Sequence, residues 1–181
     1  MQEPPFHADH VWSFLRPEFL LDAREQFWNQ DISSEQLREV ENRAIRDIVK
    51  FQEDLGLEGI TDGEYCRTYF HTDFLTQLGG VVTEGGIKVS FKTAYGSINF
   101  APPVMKVEGK VSHLLSIQRA GFDFLKSITT RTPKVTIPPT MLHFLGDRKA
   151  ISEEAYLETE EFYSDVAKAY QNELRFLAER G

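Results

Sequence analysis

The 181-residue chain is poor in cysteine, in cations and in long apolar runs. Its single cysteine, Cys66, excludes an internal disulfide and any zinc site built from several thiolates of this chain. No apolar run approaches the roughly 18 residues of a membrane span. The opening MQEPPFHADH has neither the basic n-region nor the apolar h-region of a secretory signal, so a reducing cytoplasm is the expected compartment. With 20 Lys+Arg against 28 Asp+Glu, the net charge is −8. That balance argues against nucleic acid gripped through overall charge, which needs clustered Lys and Arg. Internal repeats and low-complexity tracts are also missing. What is present, 41% apolar and 27% charged residues, suits a soluble globular protein. The length fits one domain or an incomplete piece of a larger one.

Periodicity predicts an α/β chain. Residues 7–12, 57–61 and 134–138 read as three short parallel strands, the last bounded by prolines. Pro17 is suited to a first helical position and precedes apolar residues at helical spacing. Ser33 and Gln36 fit a capping box, and Gly56 a helix stop. Between them Leu37, Val40, Ala44, Ile48, Phe51 and Leu55 form one expected stripe. Residues 65–78 are aromatic-rich and partly helical in this reading. Residues 79–109, with paired glycines and alternating Ile87–Lys92, read as antiparallel hairpin material inserted into the α/β pattern. Helices are expected over 112–127 and from Ser152, the latter with a stripe of Phe162, Val166, Tyr170, Leu174 and Leu177. Three strands are too few for a closed (β/α)8 barrel, which needs eight strands and about 250 residues.

The segments Phe6–Pro17, Glu41–Asp47, Thr61–Glu64, Phe124–Lys126 and Thr136–Phe144 occur in an order that resembles the cobalamin-independent methionine synthase-like family, through its C-terminal catalytic barrel. The resemblance runs over nearly the whole chain. It implies a partial TIM barrel, about the first three βα units, with residues 1–181 as the N-terminal part. It implies methyl transfer from a methylated folate to the thiol of homocysteine, with zinc holding the thiolate. A free thiol with pKa near 8.5 is mostly protonated at neutral pH, and zinc deprotonates it while fixing its position. The family's zinc ligands lie in the second half of the barrel, so none is assigned here, and the isolated chain is expected to be inactive.

Carried over by position, Val11 and Ser13 match a turn whose backbone meets the substrate carboxylate. Glu64 matches the acid that receives the substrate ammonium, and His143, after the third strand, is placed to line the pocket. Both kinds of contact suit the C-terminal ends of barrel strands. Trp12 departs from the family, which has glycine there; an indole could occlude the pocket or change the substrate. Plainer readings stand beside these: Glu64 as a loop acid, Ser13 as a helix cap, Cys66 as a structural thiol, and His71 and His113 as surface or packing residues. His7 and His10 have metal-like spacing, yet in a strand they would point to opposite faces. Tyr65, Tyr69, Phe70 and Phe74 read mainly as core, although a pterin ring would stack on such a surface. Two rival functions remain: a non-catalytic half-barrel that assembles with itself or with a complementary chain, and alkyl transfer to another thiol such as coenzyme M. The expected partner is a small amino-acid thiol, with neither nucleic acid nor membrane.

Overall fold

The computed structural model describes residues 8–86, 89–93, 96–100, 103–139 and 147–181. They form two compact units, the first from residues up to Thr68 with Gln118–Thr136, the second from Tyr69–Ile117 with Ile137–Arg180.

In the first unit, helices α1 (Glu18–Trp28), α2 (Ser34–Asp54) and α4 (Arg119–Ile128) accompany strands β1 (Gly59–Ile60) and β6 (Thr132–Pro133). The two strands are parallel, Gly59 opposite Thr132 and Ile60 opposite Pro133. Leu20, Ala44, Ile45, Val49, Ile60, Tyr65 and Leu125 make the core. Ser33 begins α2 with the expected capping box: Ser33 N–H donates to Gln36 Oε1 at 2.8 Å, and Gln36 N–H to Ser33 Oγ at 3.3 Å. The helix ends at Gly56, φ +81°, where the Gly56 and Leu57 N–H groups return to the carbonyls of Glu53 and Gln52.

The expected stripe of α2 is rotated. Glu41, Ala44, Ile45, Val49 and Gln52 are buried, whereas Phe51 and Leu55 are exposed. Glu41 and Gln52 turn inward because each has a buried partner, described below. Pro17 is the N-cap of α1 rather than its first residue, with extended ψ of 151°. Residues 8–12 belong to no strand, so that expectation fails over the part described.

The second unit contains α3 (Thr72–Leu75), β2 (Gly79–Glu84), β3 (Val89–Thr93), β4 (Gly96–Phe100), β5 (Val104–Ser112), a 3-10 turn at Asp147–Ala150, and α5 (Thr159–Arg180). β2 pairs antiparallel with β5, and β3 with β4. The register of β2 shifts between Gly79 and Val81. Gly80 sits there at φ +81°, and a Cβ would lie 2.5 Å from Gly109 O, so only glycine fits. Phe74, Leu75, Val107, Tyr156, Phe162 and Val166 are among the core residues.

Two helices start later than expected. Ser112 still belongs to β5, which delays α4 to Arg119. Ser152 N–H donates to Val107 O at 2.8 Å and Ile151 bridges Val107, so this segment is held to the sheet and α5 begins at Thr159. Among the described residues no helix is long and apolar enough to cross a membrane.

Candidate functional site

β1 leads at once into the turn Thr61–Asp62–Gly63–Glu64. Its own side chains shape it. Gly63 N–H donates to Thr61 Oγ1 at 3.2 Å, and Glu64 N–H to Asp62 Oδ1 at 2.9 Å. Gly63 adopts φ +69°. Glu64 follows at φ +58°, a left-handed conformation that is uncommon for a residue with a side chain. Such conformations cost on the order of 1–3 kcal/mol and persist only where the surroundings over-determine them. Gln52 of α2, fully buried, braces the start of the turn. Its Nε2 donates to Thr61 O at 2.8 Å, and its Oε1 accepts Thr61 N–H at 3.0 Å.

The Glu64 carboxylate is buried. Its Oε1 accepts Thr136 Oγ1–H at 2.8 Å and faces Arg67 Nη1 at 3.7 Å. Arg67 is also buried and reaches Thr136 Oγ1 at 3.4 Å and Gln118 Oε1 at 3.3 Å. Glu64 and Thr136 thus follow the C-terminal ends of the two parallel strands, where α/β sheets place their sites.

The N-terminal turn joins them. Phe14 N–H donates to Gly63 O at 3.2 Å. Lys134, just past β6, pairs with Asp9 and donates to His10 O. The His10 ring stacks on Phe14 with centroids 3.7 Å apart, and Trp12 O accepts from its Nε2 at 2.9 Å. Val11 and Ser13, both exposed, therefore lie on a braced turn bonded to the Glu64 turn. Ser13 does not cap α1, whose N-cap is Pro17. His10 is used inside its own turn. His7 and His143 lie outside the described residues.

Trp12 has φ +99° and is 70% exposed, so a bulky residue occupies a glycine-like conformation with little burial to offset it. Substitution separates the backbone cost from the side chain. Trp12→Gly is expected to be more stable than Trp12→Ala by about 1 kcal/mol, because glycine alone adopts this φ without strain. Urea unfolding of the two variants measures the difference; equal midpoints would contradict it.

Several residues of this cluster carry no local signature. Arg67 has only its spacing of three from Glu64, Thr136 only its place at the head of a resembling segment, and Gln118 no signal. Arg16, Arg24 and Gln52 are distant in sequence from the groups they hold. Cys66 behaves as the plain reading expects. Burial, with the nearby Glu41 charge, pushes its thiol up to about 12, and Arg38 Nη1 donates to its sulfur at 2.9 Å. His113 is mostly buried, its Nε2 lying 2.6 Å from Oε2 of the fully buried Glu173. Tyr65 and Phe74 are core residues, whereas Phe70 is exposed.

The zinc implied by the resemblance does not fit the residues described. No group of three or more His, Cys, Asp or Glu among them suits a metal ion. The one cysteine, Cys66, has Arg38 Nη1 donating to its sulfur at 2.9 Å and has no such group around it.

The chain is similar to known proteins over nearly its whole length. The uncharacterized protein YxjH of Bacillus subtilis (strain 168) is 35% identical over 99% of this chain and 47% of its own length. A 5-methyltetrahydropteroyltriglutamate–homocysteine methyltransferase of Thermotoga petrophila is 26% identical over 98% of this chain and 23% of its own. A crystal structure from Listeria monocytogenes, provisionally named a vitamin-B12-independent methionine synthase, superposes with TM-score 0.78 at 34% identity, covering 100% of this chain and 51% of that one. A B12-independent methionine synthase from Shewanella sp. W3-18-1, in complex with selenomethionine, matches 83% of this chain and 41% of its own at 25% identity, TM-score 0.61. The chain spans about half the length of the Bacillus and Listeria relatives. The family described as "Cobalamin-independent synthase, Catalytic domain" matches residues 10–180. The mixed α/β chain therefore belongs to the cobalamin-independent synthase catalytic-domain family.

Proposed function

We propose that this chain holds the amino-acid end of a thiol or thioether substrate in a methyl transfer of the methionine synthase type. One observation carries the reading. The Phe14–Gly63 bond joins the exposed Val11–Ser13 turn to the turn bearing the buried Glu64 carboxylate. Backbone N–H groups of the first suit a substrate carboxylate, and Glu64 suits its ammonium group. Arg67 already balances the Glu64 charge at 3.7 Å. A zwitterion brings no net charge to this pair, which lowers the cost of desolvating it. The selenomethionine bound by the Shewanella relative is an amino acid of this class.

The methyl donor in this reading is a methylated folate, as the name of the Thermotoga relative indicates for that protein. His143 is proposed to line the same pocket. The chain corresponds to the N-terminal part of a methionine synthase-like barrel, with residues 79–109 as an insertion, acting in the cytoplasm. The groups that activate sulfur belong to a complementary part of the fold, so the 181-residue chain alone is expected to leave homocysteine unmethylated. Leu15, Leu21 and Trp28, all exposed, favour a related reading in which this surface is covered by a second copy or by that complementary part.

Calorimetric titration with L-methionine tests the site directly. Glu64→Gln keeps the hydrogen bond from Thr136 but removes the charge that meets the ammonium group. It is expected to weaken binding about tenfold or more. Unchanged affinity in that variant would overturn the assignment of Glu64.

A further inference from the structure

We propose that Arg16 and Arg24 are positioning residues for the Glu64 carboxylate, acting as a clamp on the carbonyl groups of Glu64, Tyr65 and Arg67. The inference rests on the reading of Glu64 as the ammonium receptor. Arg16 Nη2 donates to Glu64 O at 3.1 Å and to Arg67 O at 2.7 Å. Arg24 Nη1 donates to the same Arg67 O at 3.1 Å, and its Nη2 to Tyr65 O. Two guanidinium groups thus capture three carbonyls of one short segment. Bonds from a charged donor are about twice as strong as neutral ones.

The clamp acts at the strained point of the site. Gly63 and Glu64 are both left-handed, at φ +69° and +58°, and the bonds just named hold the segment that follows. Arg67 connects clamp to carboxylate. Its carbonyl is gripped by both arginines, while its own guanidinium faces Glu64 Oε1. Fixing the Arg67 backbone fixes where that guanidinium starts, and hence the direction in which Glu64 presents its carboxylate. Arg24 in turn pairs with Glu41 of α2 at 3.4 Å, so the clamp is tied to two helices.

Arg16 is the better probe because it is only partly buried. It borders a groove of about 520 Å³ that also meets Arg24 and Thr68. Water entering that groove can replace its bonds to the carbonyls, so removing Arg16 should cost little stability while loosening the turn. Small losses of placement in a binding site cost large factors in function.

The experiment uses Arg16→Gln, Arg16→Lys, Glu64→Gln and the Arg16→Gln/Glu64→Gln double variant of the 181-residue chain. Each is titrated with L-methionine, unfolded in urea, and followed by amide hydrogen exchange. Arg16→Gln is expected to weaken methionine binding about tenfold, with a small change in urea midpoint. Exchange should quicken from Gly63 to Arg67 but not in α2. Arg16→Lys, which reaches one carbonyl, should recover part of the affinity. In the double variant the loss should be no greater than in Glu64→Gln alone, since a misplaced and an absent charge fail alike. Equal losses with and without the Glu64 charge would overturn the clamp in favour of a general structural role. Unchanged exchange from Gly63 to Arg67 would also overturn it. Wild-type binding by Arg16→Gln beside weakened binding by Glu64→Gln would reject the clamp and retain the ammonium receptor. Wild-type binding by Glu64→Gln, or no binding by the parent chain, would reject both.

Discussion

Arg24→Leu is expected to destabilise the first unit by about 3–5 kcal/mol in urea unfolding, the largest effect of any single substitution considered. Arg24 is 8% exposed and Glu41, its partner, 7%. Leucine fills much of the same space, so packing loss is a minor part. The main cost is electrostatic. Among the described residues Glu41 would keep Arg38, 3.7 Å away on the same helix, as its one ion-pair partner. The Tyr65 carbonyl would lose the Arg24 guanidinium as well. A buried group stripped of its partner carries its full desolvation cost, whereas removing both partners together does not. Arg24→Leu/Glu41→Leu should therefore recover a substantial part of the lost stability. A single-variant loss below about 1 kcal/mol, or a double variant no better than the single, would show that the Arg24–Glu41 pair does not set the stability of the first unit.

The second large effect lies in the other unit. Glu173→Leu is expected to cost about 3 kcal/mol, and Glu173→Gln about 1 kcal/mol. Glu173 is fully buried, and one oxygen, Oε2, accepts both Ile117 N–H at 3.1 Å and His113 Nε2–H at 2.6 Å. Leucine removes both acceptors and leaves a backbone donor and an imidazole without this partner. Glutamine keeps one acceptor oxygen and the side-chain shape, so most of the local bonding survives. Urea unfolding of the two variants measures the contrast. Equal stabilities would mean that shape alone matters at this position and that hydrogen bonding does not.

Glu41, Gln52 and Glu173 also explain where the sequence reading of the helices went astray. In α2 the spacing of apolar residues pointed to Phe51 and Leu55 as inward, yet both are exposed. Glu41 and Gln52 occupy the buried face because Arg24 and the Thr61 backbone wait there. In α5, Phe162 and Val166 follow the expected stripe, but Glu173 displaces Leu174, which is half exposed. A hydrophobic pattern places a helix by its apolar residues. It carries no information about a polar side chain whose partner comes from far along the chain.

The candidate site divides in the same way. Glu64, Val11 and Ser13 were singled out through the resemblance, and the place of Glu64 just past a strand through the strand expected over 57–61. Arg67, Thr136, Gln118 and the two clamping arginines were not. Each makes its contact across a long stretch of chain, such as the Thr136–Glu64 bond, or through a backbone carbonyl that any residue would supply.

By itself the amino-acid sequence determined the features that close within a few residues. The capping box at Ser33, the left-handed stop at Gly56 and the side-chain bonds shaping Thr61–Glu64 all do so. Such bonds join neighbours, so residue type and spacing suffice to specify them. Only the tertiary structure decided which helix faces are buried, which carbonyls the arginines hold, and that the Trp12 turn meets Gly63. Those outcomes depend on buried charges and polar groups finding distant partners, and the cost of leaving them unpaired outweighs the local preference for an apolar stripe.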